Sequence, residues 1–233
     1  MSLYSVSESL KAWEANAKFW DDNMGEHSNQ FHREVVRPKV TELLCPQAGE
    51  LILDIACGNG NYSAYLAGRG VRVVAFDYSP SMIALAKKRQ KKHLAQISFY
   101  VADATNAGQV MALKQERPYD KAVSNMAVMD IADAAPLFQS VSRLLDKQGI
   151  FVFATQHPCF VTLTKQYLTP HSYKDIAIEG QPVKQCYYHR SLQEIFQLCF
   201  DNGFIIDGFY EESYRGKEIP DIIIVRAKKS ASK

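Results

Sequence analysis

Between residues 50 and 155, short apolar runs rich in Val, Ile and Phe alternate with longer stretches of helical periodicity. Few architectures accommodate that rhythm. Strands are expected over 51–56, 71–77, 97–102, 121–125 and 150–155, with helices over 61–68, 79–92, 107–115 and 133–146. Ser79 and Pro80 form an N-cap and first-turn pair. In the helix after Asp133, the residues Leu137, Phe138, Val141, Leu144 and Leu145 fall on one face. Strands that each give way to a helix pair in parallel, and runs that are apolar throughout belong to a sheet covered on both faces. The end of the chain breaks the rhythm. Ser191 and Glu194 form a capping box, and Asn202 with Gly203 closes that helix. Strands over 204–214 and 219–228 then follow with no room for a crossover helix, so they pair as a hairpin and one runs against the parallel direction.

At 233 residues and 47% apolar composition the chain suits one domain with a single large core. A formal charge of +2 argues against a nucleic-acid or membrane binder held by electrostatics. No apolar run approaches the roughly 18 residues of a membrane span, and the polar N-terminus lacks the pattern of a signal peptide. Five scattered cysteines without a C-x-x-C pair make a poor disulfide framework and a poor zinc site, so reduced thiols and a cytoplasmic location are expected. His27 and His32 fit no ligand spacing with the other histidines, and no metal is expected. The basic run 87–93, KKRQKKH, reads as a solvated helix end rather than a phosphate track. Residues 5–45 read as two helices in front of the sheet. Residues 156–190 form an insertion long enough to be functional or mobile.

The stretch LDIACGNGNYSAYLA, residues 53–67, places Gly58 and Gly60 where a strand must turn sharply into a helix, so that the backbone can meet a ligand closely. A dinucleotide site would require G-x-G-x-x-G, but the third position is Ser63. A P-loop would require Lys and Ser or Thr after the glycines, where this chain has Asn61 and Tyr62. Acids surround the turn instead. Asp54 precedes it, Asp77 ends the second strand where a carboxylate can accept from both hydroxyls of a ribose, and Asp103 ends the third within reach of an exocyclic amine. Three acids would repel a pyrophosphate, so the ligand should carry a ribose, a base amine and positive charge.

In these residues the chain resembles the class I S-adenosylmethionine-dependent methyltransferases, over roughly residues 30–228. LDIACGNG looks like that family's first motif, with Ala56 where glycine is usual. The resemblance implies a Rossmann-like fold: a seven-stranded, mostly parallel sheet with an antiparallel C-terminal hairpin and helices on both faces. It implies S-adenosylmethionine as cofactor, with Ala56, Gly58 and Gly60 under its methionine part and Asp54 beside the turn. Asp77 would hold the ribose, with Tyr78 and Met82 against the adenine, Asp103 and Ala104 at the adenine edge, and Asn125 and Met126 beside the methionine. SNMAVMDI and FHREVVRP look like a subgroup acting on small molecules. The expected reaction is methyl transfer to a small acceptor, in which a sulfonium already makes the methyl electrophilic and the protein mainly aligns and desolvates. The alternatives are an RNA methyltransferase, a non-catalytic S-adenosylmethionine-binding protein and a nicotinamide-dependent oxidoreductase.

On this reading the chain is one domain, 1–233: a helical lid (1–47), a cofactor-binding core (48–155), a substrate-side insertion (156–190) and a C-terminal helix and hairpin (191–233). Trp13, Phe19, Trp20 and Phe31 would give the lid its apolar surface, and His32 or Arg33 would approach the cofactor carboxylate, Arg33 as a bidentate fork. The insertion opens with TQHPCF at the carboxyl end of a strand, where ligands of open α/β sheets bind. Its Phe160, Tyr167, His171, Tyr173, Tyr187, Tyr188 and His189 suit a small, partly apolar acceptor. His157 is the candidate to orient or deprotonate that acceptor, because imidazole titrates near neutrality, and Pro158 should keep the chain extended there. The sequence leaves the oligomeric state open.

Overall fold

The computed structural model of the protein describes residues 5–161 and 166–230, without the side chains of residues 160 and 161. Its strands are β1 (Leu51–Ile55), β2 (Arg72–Asp77), β3 (Ile97–Val101), β4 (Tyr119–Asn125), β5 (Leu145–Gln156), β6 (His171–Asp175), β7 (Gln185–His189), β8 (Phe204–Glu212) and β9 (Ile222–Lys229). Its helices are α1 (Val6–Met24), α2 (Arg37–Leu44), α3 (Asn61–Ala67), α4 (Pro80–Arg89), α5 (Ala107–Met111), α6 (Ala135–Leu144), α7 (Pro158–Val161) and α8 (Leu192–Asp201). Seven strands make one sheet in the order β3-β2-β1-β4-β5-β9-β8, and β6 and β7 pair as a separate two-stranded sheet. Strands β1 to β5 are parallel, while β9 lies antiparallel between β5 and β8. This is the Rossmann-like arrangement, with the antiparallel hairpin where the missing crossover helix demanded it.

Every residue of β1 is buried, as a central parallel strand requires. Its side chains alternate between two apolar layers. Leu53 and Ile55 pack with Phe138 of α6 and with Phe151 and Phe153 of β5. Ile52 packs on the other face with Val40 of α2 and Leu66 of α3.

Three elements depart from the expected bounds. The helix expected over 133–146 stops at Leu144, because Leu145 already pairs with Tyr119 at the start of β5 and a bulge restores the register at Lys121. The helix expected over 107–115 is only α5, and beyond its end the Leu113 carbonyl accepts from the Tyr119 hydroxyl. The insertion carries a hairpin that periodicity did not announce, with Tyr173 opposite Tyr187 and His171 opposite His189. The basic run is the last turn of α4 and the short turn Lys91–His93, and its Arg89 is committed to Asp21 of α1.

Candidate functional site

The strand β1 leaves the sheet through three left-handed residues, Ala56 (φ 52°), Gly58 (φ 55°) and Gly60 (φ 74°). Alanine at position 56 adopts the conformation at modest cost, and the value of φ explains why glycine is usual in the resembling motif. Asp77 holds the loop, its carboxylate accepting from the Gly58 and Ser79 amides at 3.0 Å each. Below it the Ser63 hydroxyl donates to Asp54 at 2.5 Å. The residue that spoils a dinucleotide fingerprint thus has a positive task, orienting an acid beneath the turn.

The loop opens on a cleft of about 600 Å³ at the carboxyl ends of the strands. Asp54, Ala56, Gly58, Asp77, Tyr78, Met82, Asp103, Ala104, Asn125 and Met126 all line it. Gly60 does not. It faces the Phe99 ring, so its missing side chain serves packing rather than ligand approach. Asp103 lines the cleft and also caps its own turn, accepting from the Thr105 amide and hydroxyl at 2.8 Å. Burial raises the Asp54 carboxyl to about 7, helped by the charge of Asp77 and opposed by Ser63. Burial likewise raises Asp77 to about 6, against the Ser79 and Gly58 amides that favour its charged form.

Helix α1 crosses the cleft. Its residues Val6, Ser9, Trp13, Trp20 and Met24 line the space at helical spacing. Several ties hold it there. Glu14 accepts from the Ser81 hydroxyl at 2.6 Å, Ser9 bonds the Tyr78 hydroxyl at 2.9 Å, and Asp21 takes Arg89 at 2.6 Å and Asn59 at 3.0 Å. Trp20 and His32 line the cleft as expected positions, and Phe31 joins them. His32 is half-buried, with Nδ1 at 2.8 Å from Asn29 Oδ1, and burial and the neighbouring Arg37 lower its pKa to about 4. Arg33 does not reach the site. It is exposed and gives its guanidinium to the Ser28 carbonyl, because the π-helical turn His32–Val36 directs it outward while Val35 and Val36 face the core.

The acceptor-side residues divide into two groups. Tyr173, Tyr187 and Tyr188 line the cleft. Tyr167, His171 and His189 do not, and are a separate cluster: the two imidazoles stack at 4.6 Å, His189 donates to the Tyr167 carbonyl and the Tyr167 hydroxyl accepts from the Leu192 amide. The β6–β7 register puts both histidines at the far end of the hairpin from the cleft. The side chain of Phe160 lies outside the described residues.

His157 also stands away from the cleft and is buried. Its Nδ1 accepts from the Cys159 amide at 3.0 Å, which leaves the proton on Nε2 to donate to Glu211 Oε1 at 2.8 Å. Both nitrogens are occupied in joining the end of β5 to the edge strand β8, so the ring has none to offer an acceptor. Pro158 opens α7 rather than an extended segment, and this turn brings the Cys159 amide back to the imidazole. His157→Gln is expected to lower stability by about 1–3 kcal/mol, the cost of an unsatisfied buried partner, with cofactor affinity unchanged. Thermal unfolding and calorimetry on one preparation would check both halves, and a loss of affinity would return the residue to the site.

Among the described residues, four buried polar atoms of cleft residues have no partner: Trp20 Nε1, Asn125 Oδ1, Asp130 Oδ1 and Gln185 Nε2. Buried polar groups are almost always satisfied, so this pattern marks where a polar ligand belongs. Asp130, in the short turn Val128–Asp130 after β4, escaped the sequence reading because it sits in an otherwise apolar run. Among the described residues no group of three or more His, Cys, Asp or Glu is placed to hold a metal, and no helix is long and apolar enough to cross a membrane.

A family model described as "Methyltransferase domain" matches residues 46–203. The chain is 26% identical over 197 residues to a 23S rRNA (uracil(1939)-C(5))-methyltransferase of Shewanella piezotolerans, a match covering 84% of this chain and 42% of that protein. It is 25% identical over 189 residues to a demethylmenaquinone methyltransferase of Oceanobacillus iheyensis, over 73% of this chain and 75% of the other. Among solved structures, a 1,6-didemethyltoxoflavin-N1-methyltransferase of Burkholderia thailandensis, with its acceptor and S-adenosylhomocysteine bound, superposes with a TM-score of 0.66 at 18% identity, over 99% of this chain and 92% of that one. At that identity the likeness is one of fold.

Proposed function

The chain belongs to the S-adenosylmethionine-dependent methyltransferase family, and on that premise we propose that it transfers a methyl group from S-adenosylmethionine to a small-molecule acceptor. One observation carries the choice of acceptor. Among the described residues, six carboxyl groups line the cleft (Asp54, Asp77, Asp103, Asp130, Asp175 and Asp221), against a single lysine, Lys217, which is itself paired with Asp221. Such a lining suits a sulfonium and repels a phosphate backbone.

The cofactor supplies a methyl on sulfonium sulfur, and the protein supplies alignment and exclusion of water. Asp77 would accept from the ribose hydroxyls, Tyr78 and Met82 would flank the adenine, and Asp103 would take its amine. Gly58 would admit the methionine part, with Asn125 Oδ1 and Trp20 Nε1 finding their missing partners there. The chain's own residues would hold the acceptor's attacking atom in line with that methyl. A neutral product then requires the acceptor to lose a proton to solvent or to a cleft carboxylate.

Helix α1 would act as a lid over the bound cofactor, being held by side-chain contacts rather than by strand pairing. The test uses the purified protein with tritiated S-adenosylmethionine and cell extract fractionated by size. Cofactor binding, with label entering the low-molecular-weight fraction and protease cleavage of residues 5–45 slowed by cofactor, is the expected result. Label in the RNA fraction, falling steeply with added salt, would replace the small acceptor by a nucleic acid. Binding of NADH instead would remove the methyltransferase reading. Equal cleavage with and without cofactor would remove the lid.

A further inference from the structure

The geometry points to Asp130 as the anchor for the protonated nitrogen of an arylalkylamine, whose ring lies against the paired Tyr173 and Tyr187. This deepens the methyltransferase reading and rests on it. Asp130 lies at the end of the turn after β4, within the cleft, and its Oδ1 is buried without a partner. The turn is held rigidly. Arg190, just past the end of β7, donates to the carbonyls of Val128 (3.1 Å), Ile131 (2.6 Å) and Ala132 (2.8 Å), so the hairpin itself sets where the carboxyl group sits.

The neighbouring tyrosines do not satisfy that carboxyl. The Tyr173 hydroxyl donates to Gln156 and the Tyr187 hydroxyl to Gln185, each near 3 Å. Their rings line the cleft, stacked 5.4 Å apart at an interplanar angle of 29°, and make an apolar wall for a flat ring. Burial pushes the Asp130 carboxyl well above the ordinary carboxylate range, and the charge of Asp77 adds to it. An amine entering such a site supplies the counter-charge that the protein withholds, and an aromatic ring beside a carboxylate is a general solution for binding organic cations. An anionic acceptor would meet Asp130 and Asp175 with, among the described residues lining the cleft, one lysine to offset them, Lys217, already paired with Asp221.

The experiment loads the full-length protein with S-adenosylhomocysteine and titrates three probes of one shape: tryptamine, its neutral alcohol analogue tryptophol, and the anion indole-3-propionate. Tryptamine is expected to bind at least tenfold more tightly than tryptophol, with the anion weakest. Asp130→Asn, which keeps the shape and removes the charge, should erase the preference while leaving S-adenosylhomocysteine affinity within twofold of wild type. Asp130→Glu should restore part of it. Equal binding of the three probes by the wild type, failure of tryptamine to bind the loaded protein, or a preference that survives Asp130→Asn would each overturn the inference. A tenfold loss of S-adenosylhomocysteine affinity in Asp130→Asn would place the carboxyl in the cofactor site instead. If the wild type binds no S-adenosylhomocysteine at all, the methyltransferase reading has failed before the amine is tested, and the two failures stay distinct.

Discussion

Valine in place of Gly60 is expected to cost about 2–5 kcal/mol of folding stability and to lower the melting temperature by roughly 5–15 °C. Two causes add. The residue sits at φ 74°, a conformation that a β-branched side chain resists. A Cβ there would also stand 2.8 and 2.9 Å from two atoms of the Phe99 ring and 3.2 Å from Gln90. Neither neighbour can yield cheaply. Phe99 is buried on β3 among the residues under α3 and α4, and Gln90 is bound to the Asn59 carbonyl and the Asn61 amide oxygen. Gly58 makes the natural control, since a Cβ at that position meets nothing within 4 Å. Gly58→Ala should therefore fold with a smaller loss and fail at the ligand instead. Melting curves and cofactor titrations on the two variants check the contrast, and an unchanged melting temperature for the valine variant would refute the packing role.

Asp77→Ala should weaken S-adenosylmethionine by about 1.5–3 kcal/mol, roughly 10- to 150-fold, the range for hydrogen bonds that involve a charged group. The carboxylate both fixes the loop, through the Gly58 amide, and faces the cleft where a ribose would lie. The wild type should show a pH signature that the variant lacks. With Asp77 raised to about 6, the empty site is largely protonated at pH 5. Only the ionised carboxyl accepts from both hydroxyls of a diol, so binding at low pH must expel a proton. Affinity should rise as pH increases from 5 toward 7, by up to tenfold per unit below the pKa, and level off above it. Isothermal titration at three pH values reads this directly. A flat profile in the wild type, or a parallel one in the variant, would assign the titration elsewhere.

The cofactor half was legible because its determinants are local. A strand, a glycine turn and an acid at the next strand end lie close together in sequence, and the parallel sheet carries their spacing into space unchanged. The acceptor half was less legible. Aromatic composition marked residues 156–190 as a wall, but which rings face inward depends on the β6–β7 register, and a register cannot be read without its turn. Tyr173 and Tyr187 therefore line the cleft while His171 and His189, two pairs further along, leave it. His157 was misjudged for a related reason. Its place at a strand end suggested the ligand, but its partner Glu211 lies 54 positions later on the edge strand. Of the alternatives His32 and Arg33, it is His32 that lines the cleft, while Arg33 is exposed one position on in the same π-helical turn.

Helix α1 touches more than the cleft it crosses. Through Glu14 and Asp21 it is bound to α4 and the glycine loop, and through Asn16 it exchanges two hydrogen bonds with the backbone of Val183, at 2.9 and 3.1 Å, in the segment leading to β7. A single rigid rod is thus fastened to both halves of the molecule. Were ligands to still the rod further, the entropy penalty would fall once, on whichever compound arrived first, and the second would be spared it. Cofactor and acceptor would then be thermodynamically linked without touching, each tightening the other by the same factor.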